Sequence, residues 1–123
     1  MRIFLVDDDV DICTTYKTGL EVNGFQVDVY TDPLVAISNY KLGYYDLLLL
    51  DIRMPKMTGF ELYDVISKLD RGMKLRVCFI TSFEVYYQSI KENYPHLTKN
   101  YHFIQKPISI DDLVKRLRKI LSL

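Results

Sequence analysis

Four short apolar runs in this 123-residue chain each lead into residues that can do chemistry. "IFLV" (3–6) leads into Asp7, Asp8 and Asp9, and "DLLLL" (46–50) into Asp51. "LRVCFI" (75–80) leads into Thr81 and Ser82, and "YHFIQ" (101–105) into Lys106 and Pro107. One acid can cap a following helix, and Asp9 is assigned that task. Capping does not explain three acids in a row, because one cap satisfies a helix. Crowded carboxylates raise one another's pKa unless a cation neutralises them. Oxygen-only ligation with room for water suits Mg²⁺. Lys106 stands between an apolar run and a proline, which favours a partner for the acids over an ordinary surface lysine. Thr81 alone carries little weight.

The elements that must position these groups follow from periodicity. Each apolar run reads as a strand, and the four leucines before Asp51 suggest one buried on both faces. "FQVDVY" (25–30) alternates like an edge strand. Between the strands lie amphipathic segments. Residues 10–22 place Ile12, Tyr16 and Leu20 on one helical face and close on Asn23-Gly24. "TDPLVAISNYKLG" reads as a helix with Asp32 as N-cap, Pro33 in its first turn and Gly43 as terminator. Thr58 and Glu61 fit a capping box ahead of Leu62, Val65, Ile66 and Leu69. A fourth helix is predicted over 84–94, stopped by Pro95, and Ser109 caps a last one carrying Leu113, Leu117, Ile120 and Leu121. Five βα units imply an α/β fold with a parallel sheet covered on both faces. Functional groups then collect at the carboxyl ends of the strands.

Composition sets the outer bounds. Residues 1–123 suit one domain, and with 49% hydrophobic residues a sizeable core is available. Sixteen basic and sixteen acidic residues balance, so no global field favours nucleic acid. The basic run Lys115, Arg116, Arg118 and Lys119 reads as a solvated helix end complementing the helix dipole. Cys13 and Cys78 read as buried, reduced thiols, with no pattern for zinc or redox chemistry. No signal peptide and no membrane-length apolar stretch is present, so a soluble, cytoplasmic protein is expected.

The set "LVDDD", "LLLLDIRMPKMTG", "FITS" and "FIQKP" resembles the receiver domain of two-component response regulators, over essentially the whole chain. With no output domain after Leu123, the resemblance is to the stand-alone, chemotaxis-regulator-like members, unless the chain is a fragment of a longer regulator. It implies a flavodoxin-like (βα)5 doubly wound fold with strand order 2-1-3-4-5. It also implies phosphoryl transfer from the phosphohistidine of a histidine kinase or phosphotransfer protein, followed by binding of a downstream protein target. Asp51 would be the phosphoacceptor. Asp8 would bind Mg²⁺ (or Mn²⁺) directly, Asp7 would bind it through water, and Asp51 and the backbone carbonyl of Arg53 would complete the site. Lys106 would pair with the phosphoryl group, next to a Lys106–Pro107 bond that is often cis. Thr81 would be the switch hydroxyl and Phe103 the switch aromatic, acting on the face shared by the fourth helix, fifth strand and last helix. Arg53 and Phe83 would border the approach of hydrolytic water. Neither nucleic acid nor membrane is implied as a direct partner, and the molecule would be a monomer or a phosphorylation-promoted dimer.

The chain departs from the family pattern in places. Ser82 stands where alanine is usual, and the segment from Thr81 to Lys106 is longer, with "PHLTKN" in place of a small-residue turn. Tyr86, Tyr87, Tyr94 and Tyr101 fall there, read as helix and strand packing or as a docking face, while His96 and His102 read as surface or strand residues. Two rival functions use parts of the same set. A haloacid-dehalogenase-type phosphatase needs a second acid two residues after its nucleophile, and that position is Arg53. A pseudo-receiver that only binds partners would not need all five key side chains.

Overall fold

Leucine and β-branched runs without polar alternation are satisfied as strands covered on both sides. In the computed structural model, which describes residues 1–71, 75–82, 92–93 and 103–122, three runs of this kind and two less buried strands pair in parallel. They are β1 (Arg2–Val6), β2 (Gln26–Tyr30), β3 (Leu47–Asp51), β4 (Arg76–Thr81) and β5 (Phe103–Gln105), in the order β2-β1-β3-β4-β5. This is the flavodoxin-like order, with β3 central and β2 at one edge. The helices are α1 (Val10–Val22), α2 (Pro33–Ser38), α3 (Gly59–Leu69) and a C-terminal helix (Ile110–Ile120). Of the fourth predicted helix, only Glu92 and Asn93 are described, and both are helical. Phe83, Tyr86, Tyr87, Tyr94, His96, Tyr101 and His102 lie outside the described residues.

Strand alternation splits the core in two. Ile3, Leu5, Leu47 and Leu49 pack with Tyr16 and Leu20 of α1 and with Leu113 and Leu117 of the C-terminal helix. Phe4, Val6, Leu48 and Leu50 pack with Ala36 of α2 and with Leu62 and Ile66 of α3. All four leucines of β3 are 0% exposed. At about 2 kcal/mol for each fully buried leucine, this run can hold a carboxylate at its end out of water. Asp51 is the last residue of β3, paired with Ile80, rather than the first residue beyond it.

Capping follows the sequence. Asp9 accepts from the amides of Asp11 and Ile12 at 3.0 and 3.2 Å. Asp32 accepts from Leu34 and Ser109 from Asp112, at 2.8 and 3.1 Å. Thr58 and Glu61 form the reciprocal capping box. The basic run is not only a solvated end, because Arg116 donates to the Phe103 carbonyl at 2.6 Å.

Two segments differ from the sequence reading. Leu69 is 51% exposed, because the last turn of α3 directs its cap, Asp70, inward instead. The helix over Pro33–Gly43 ends at Ser38. Asn39 folds its side-chain amide onto the Val35 carbonyl at 2.8 Å. Tyr40 then turns into an aromatic cluster, 5.2 Å from both Phe4 and Tyr45 by ring centroids. Buried Asp70 holds this arrangement, accepting from the Tyr40 hydroxyl at 2.6 Å and from the Gly43 amide at 3.2 Å. Asp70→Ala leaves two donors without their acceptor. It is expected to cost about 2 kcal/mol, read as a lower urea midpoint with an unchanged slope.

Candidate functional site

Parallel pairing brings the carboxyl ends of β1, β3, β4 and β5 to one edge of the sheet. There Asp7, Asp8, Asp51, Arg53 and Lys106 line an open cleft of ≈ 730 Å³. One carboxylate oxygen from each of Asp7, Asp8 and Asp51 lies within 4.8 Å of the other two. Asp7 is 0% exposed and Asp51 6%, whereas Asp8 is exposed. The Lys106 ammonium donates to Asp7 Oδ2 at 2.6 Å and to Asp51 Oδ1 at 3.4 Å. The Lys106–Pro107 bond is cis.

Each side chain is held from behind. The Asp9 amide donates to Asp7 Oδ1 at 2.9 Å, so the helix start that Asp9 caps also orients Asp7. The Cys13 thiol donates to the Asp7 carbonyl at 3.1 Å. Burial, with Asp7 close by, pushes that thiol up to about 12, so it stays protonated. Nothing in the sequence marks Cys13 for this role, since it lies one helical turn inside α1 and looks like core. Lys106 is placed by its own amide, which donates to the Thr81 carbonyl at 2.8 Å and extends the β4–β5 ladder.

The electrostatics follow from burying acids together. Burial, and then the Asp7 charge, raise the Asp51 carboxyl from 3.8 to about 7 against the opposing pull of Lys106. Burial pulls Lys106 down, but its bonds to Asp7 and the charge of Asp51 outweigh that and hold it above its ordinary value. One ammonium therefore does not fully compensate the acids. A further cation is what such a site accommodates, and three carboxylates without nitrogen or sulfur fit Mg²⁺ or Mn²⁺.

Most of the predicted site residues meet at this edge, but not all do. Thr81 ends β4, 8% exposed, and Arg53 is exposed at the cleft. Phe103 is not a cleft residue. It sits at the start of β5, half-buried, stacked on Phe79 with centroids 5.6 Å apart and planes at 23°. Phe83 lies outside the described residues.

A 2-1-3-4-5 parallel sheet with acids and a lysine gathered at its carboxyl edge defines a CheY-like protein of the flavodoxin fold. Residues 3–118 match the response regulator receiver domain, and the chain belongs to that family. It is 31% identical to the response regulator receiver protein CpdR of Brucella abortus, over 98% of this chain and 96% of that protein. It is 30% identical to the C4-dicarboxylate transport transcriptional regulatory protein DctD of Rhizobium meliloti, over 95% of this chain but 24% of DctD. Several other transcriptional regulators are matched over about half of their length. Among solved structures, the non-phosphorylated HemR receiver domain of Leptospira biflexa superposes with a TM-score of 0.80 at 29% identity, covering 99% of this chain and 94% of that one. The family consists of signalling regulators of two-component systems, which implies a phosphoacceptor role. Among the described residues, no helix is long and apolar enough to cross a membrane.

The Asp51 environment has a consequence for stability without metal. Below its unfolded value of 3.8 the carboxyl is protonated in both states, and above about 7 it is ionised in both. Between them the unfolded chain releases the proton more readily, so folding loses stability as pH rises through this window. Asp51→Asn escapes that loss. In chelator, the stability of the variant minus that of wild type is expected to grow by about 4 kcal/mol from about pH 4 to about pH 8. Urea titrations at both pH values check this, and a constant difference would contradict the cause assigned to the shift.

Proposed function

We propose that residues 1–123 form one receiver unit in which Asp51 accepts a phosphoryl group from the phosphohistidine of a histidine kinase or phosphotransfer protein. The observation that carries this reading is the placement of Asp51, with Asp7 and Asp8 within 4.8 Å and the Lys106 ammonium 3.4 Å from Oδ1. A carboxylate oxygen of Asp51 attacks phosphorus in line. The phosphorus–nitrogen bond breaks, and its electron pair returns to the imidazole ring, a good leaving group when protonated. Fixing the nucleophile at the end of a buried strand removes the cost of orienting it. The Lys106 ammonium compensates charge on the phosphoryl oxygens as the new bond forms. Asp8 directly, Asp7 through water, Asp51 and the Arg53 carbonyl would hold Mg²⁺, which would supply further positive charge to those oxygens. Mn²⁺ suits the same oxygen donors.

The signal then passes to a protein target. In this reading the Thr81 hydroxyl moves to a phosphoryl oxygen and Phe103 fills the space it leaves. Phe103 lacks a hydroxyl, so an inward ring leaves no polar group unsatisfied. The face affected comprises the fourth predicted helix, β5 and the C-terminal helix. Its partner is a protein, and the molecule acts as a monomer or as a phosphorylation-promoted dimer.

Incubation with acetyl phosphate and Mg²⁺, followed by intact mass, tests the reading. Wild type is expected to gain one phosphoryl group, and Asp51→Asn none while remaining folded. Asp8→Asn is expected to weaken Mg²⁺ titration, because a neutral amide removes one of the charges on the ion. A stoichiometric gain in Asp51→Asn would place the acceptor elsewhere.

The lifetime of the phosphoryl group depends on access by water. Arg53 is exposed at the cleft and would hold the phosphoryl group by charge-assisted hydrogen bonds, and Phe83, outside the described residues, has no polar group with which to orient water. Neither can act as a base. The double variant Arg53→Asn/Phe83→Glu is expected to lose its phosphoryl group about tenfold faster, as loss of one charge-assisted bond of ~1.5 kcal/mol requires. Decay no faster than wild type would remove both residues from this role.

A further inference from the structure

Gly59 is the first residue of α3 and is buried, yet its backbone needs no glycine. Among the described residues, the glycines in the left-handed region are Gly24 and Gly43. What excludes a side chain at 59 is space. A Cβ there would lie 2.4 Å from the carbonyl oxygen of Asp51 and 3.1 Å from both Asp51 C and Ile52 Cα. These obstacles are backbone atoms at the end of β3, which cannot rotate aside. Gly19 makes the contrast. A Cβ at Gly19 would meet Ile110 at 2.7 Å, but only through side-chain atoms that can change rotamer.

Both partners in the Gly59 contact are fixed. The Gly59 amide donates to the Ile52 carbonyl at 2.9 Å. The capping box and buried Leu62 and Ile66 hold α3. Pairing with Ile80 holds Asp51. Relief of a methyl-sized collision needs the Asp51 peptide and α3 to separate by roughly 1 Å. A displacement of that size at a reacting group costs up to about 10²-fold in rate.

We propose that Gly59 is a positioning residue for Asp51. Its missing side chain lets the first turn of α3 close on the Asp51 carbonyl and sets the carboxylate in place against Asp7, Asp8 and Lys106. The inference rests on Asp51 being the phosphoacceptor.

Wild type, Gly59→Ala and Gly19→Ala are compared with acetyl phosphate and saturating Mg²⁺. Circular dichroism gives the folded fraction, Mn²⁺ binding the metal affinity, and ¹⁵N spectra the amide shifts of Asp51, Ile52 and Lys106. Gly59→Ala is expected to phosphorylate about tenfold or more slowly per folded molecule. Its Mn²⁺ affinity is expected to fall as well, because Asp51 is one of the proposed ligands, while Asp7 and Asp8 follow β1 and keep their own supports, so the rates are compared at saturating metal. The three amides should shift, while Gly19→Ala keeps the wild-type rate. A rate that falls only with the folded fraction overturns the proposal, and so do unchanged amide shifts. Should Gly59→Ala unfold in buffer, it is measured in trimethylamine N-oxide, which favours the folded state. A variant that does not fold even there shows that Gly59 serves the fold and not the placement of Asp51. A wild type that takes no phosphoryl group on Asp51 refutes the phosphoacceptor reading instead, and the amide shifts then decide the positioning claim alone.

Discussion

The rest of the structure turns on one unfavourable arrangement, two carboxylates almost wholly withdrawn from water at the ends of neighbouring strands. Asp7 and Asp51 are 0% and 6% exposed, with one ammonium between them at 2.6 and 3.4 Å. In isolation each buried charge would cost several kcal/mol. The strands cannot relax to relieve this, because leucines buried on both faces of β3 and the β1 ladder fix them. The charge is relieved only from the open side of the cleft, so the uncompensated field points at whatever enters. A site that is electrostatically incomplete, on a scaffold that cannot rearrange, favours cations and groups bridged to them.

The same constraint explains the supports around it. Asp7 is withdrawn from bulk solvent, and it accepts from the Lys106 ammonium and the Asp9 amide. Its carbonyl is met by the Cys13 thiol. Asp8, one residue further on, is exposed and can exchange partners. Two adjacent acids on one loop therefore differ in kind, one a fixed charge and the other free to rearrange toward a ligand.

Which features were legible in the sequence depends on the range of the forces involved. Strands buried on both faces write themselves as unbroken apolar runs, so β1, β3 and β4 were located within a residue. Caps are local, and Asp9, Asp32, Thr58 with Glu61, and Ser109 all cap as read. The end of α2 was not legible, because Tyr40 is drawn away by Asp70, thirty residues distant in sequence. The acids and lysine of the site could be found because strand ends converge in any parallel sheet. Cys13 and Gly59 could not be placed at the site from sequence. Cys13 acts through a carbonyl on the preceding loop and leaves no spacing pattern, while Gly59 ends the run "LLLLDIRMPKMTG" without showing there that its empty space lies against a strand.

Edge strands raise a last physical question, since a sheet ends in unpaired carbonyls that invite another strand. The Gln26 amide bonds to Met1 and the Tyr30 carbonyl receives the Asp7 amide, so even-numbered residues of β2 face β1 and odd ones face outward. On that outer side the Val27 carbonyl is covered by the Lys17 ammonium at 2.7 Å. At the other end of the sheet, Lys106 continues the β5 ladder through its amide, which puts the Phe103 carbonyl outward by the same parity. Arg116 covers it at 2.6 Å. Both caps are long basic side chains from the adjacent helix, so each edge is blunted by the helix packed beside it. The consequence differs between the two. Lys17 guards an edge away from Lys106, whereas Arg116 ties the C-terminal helix to the strand that leads into Lys106. A shift of β5 large enough to move the Phe103 carbonyl must either break a charge-assisted bond or carry the C-terminal helix with it.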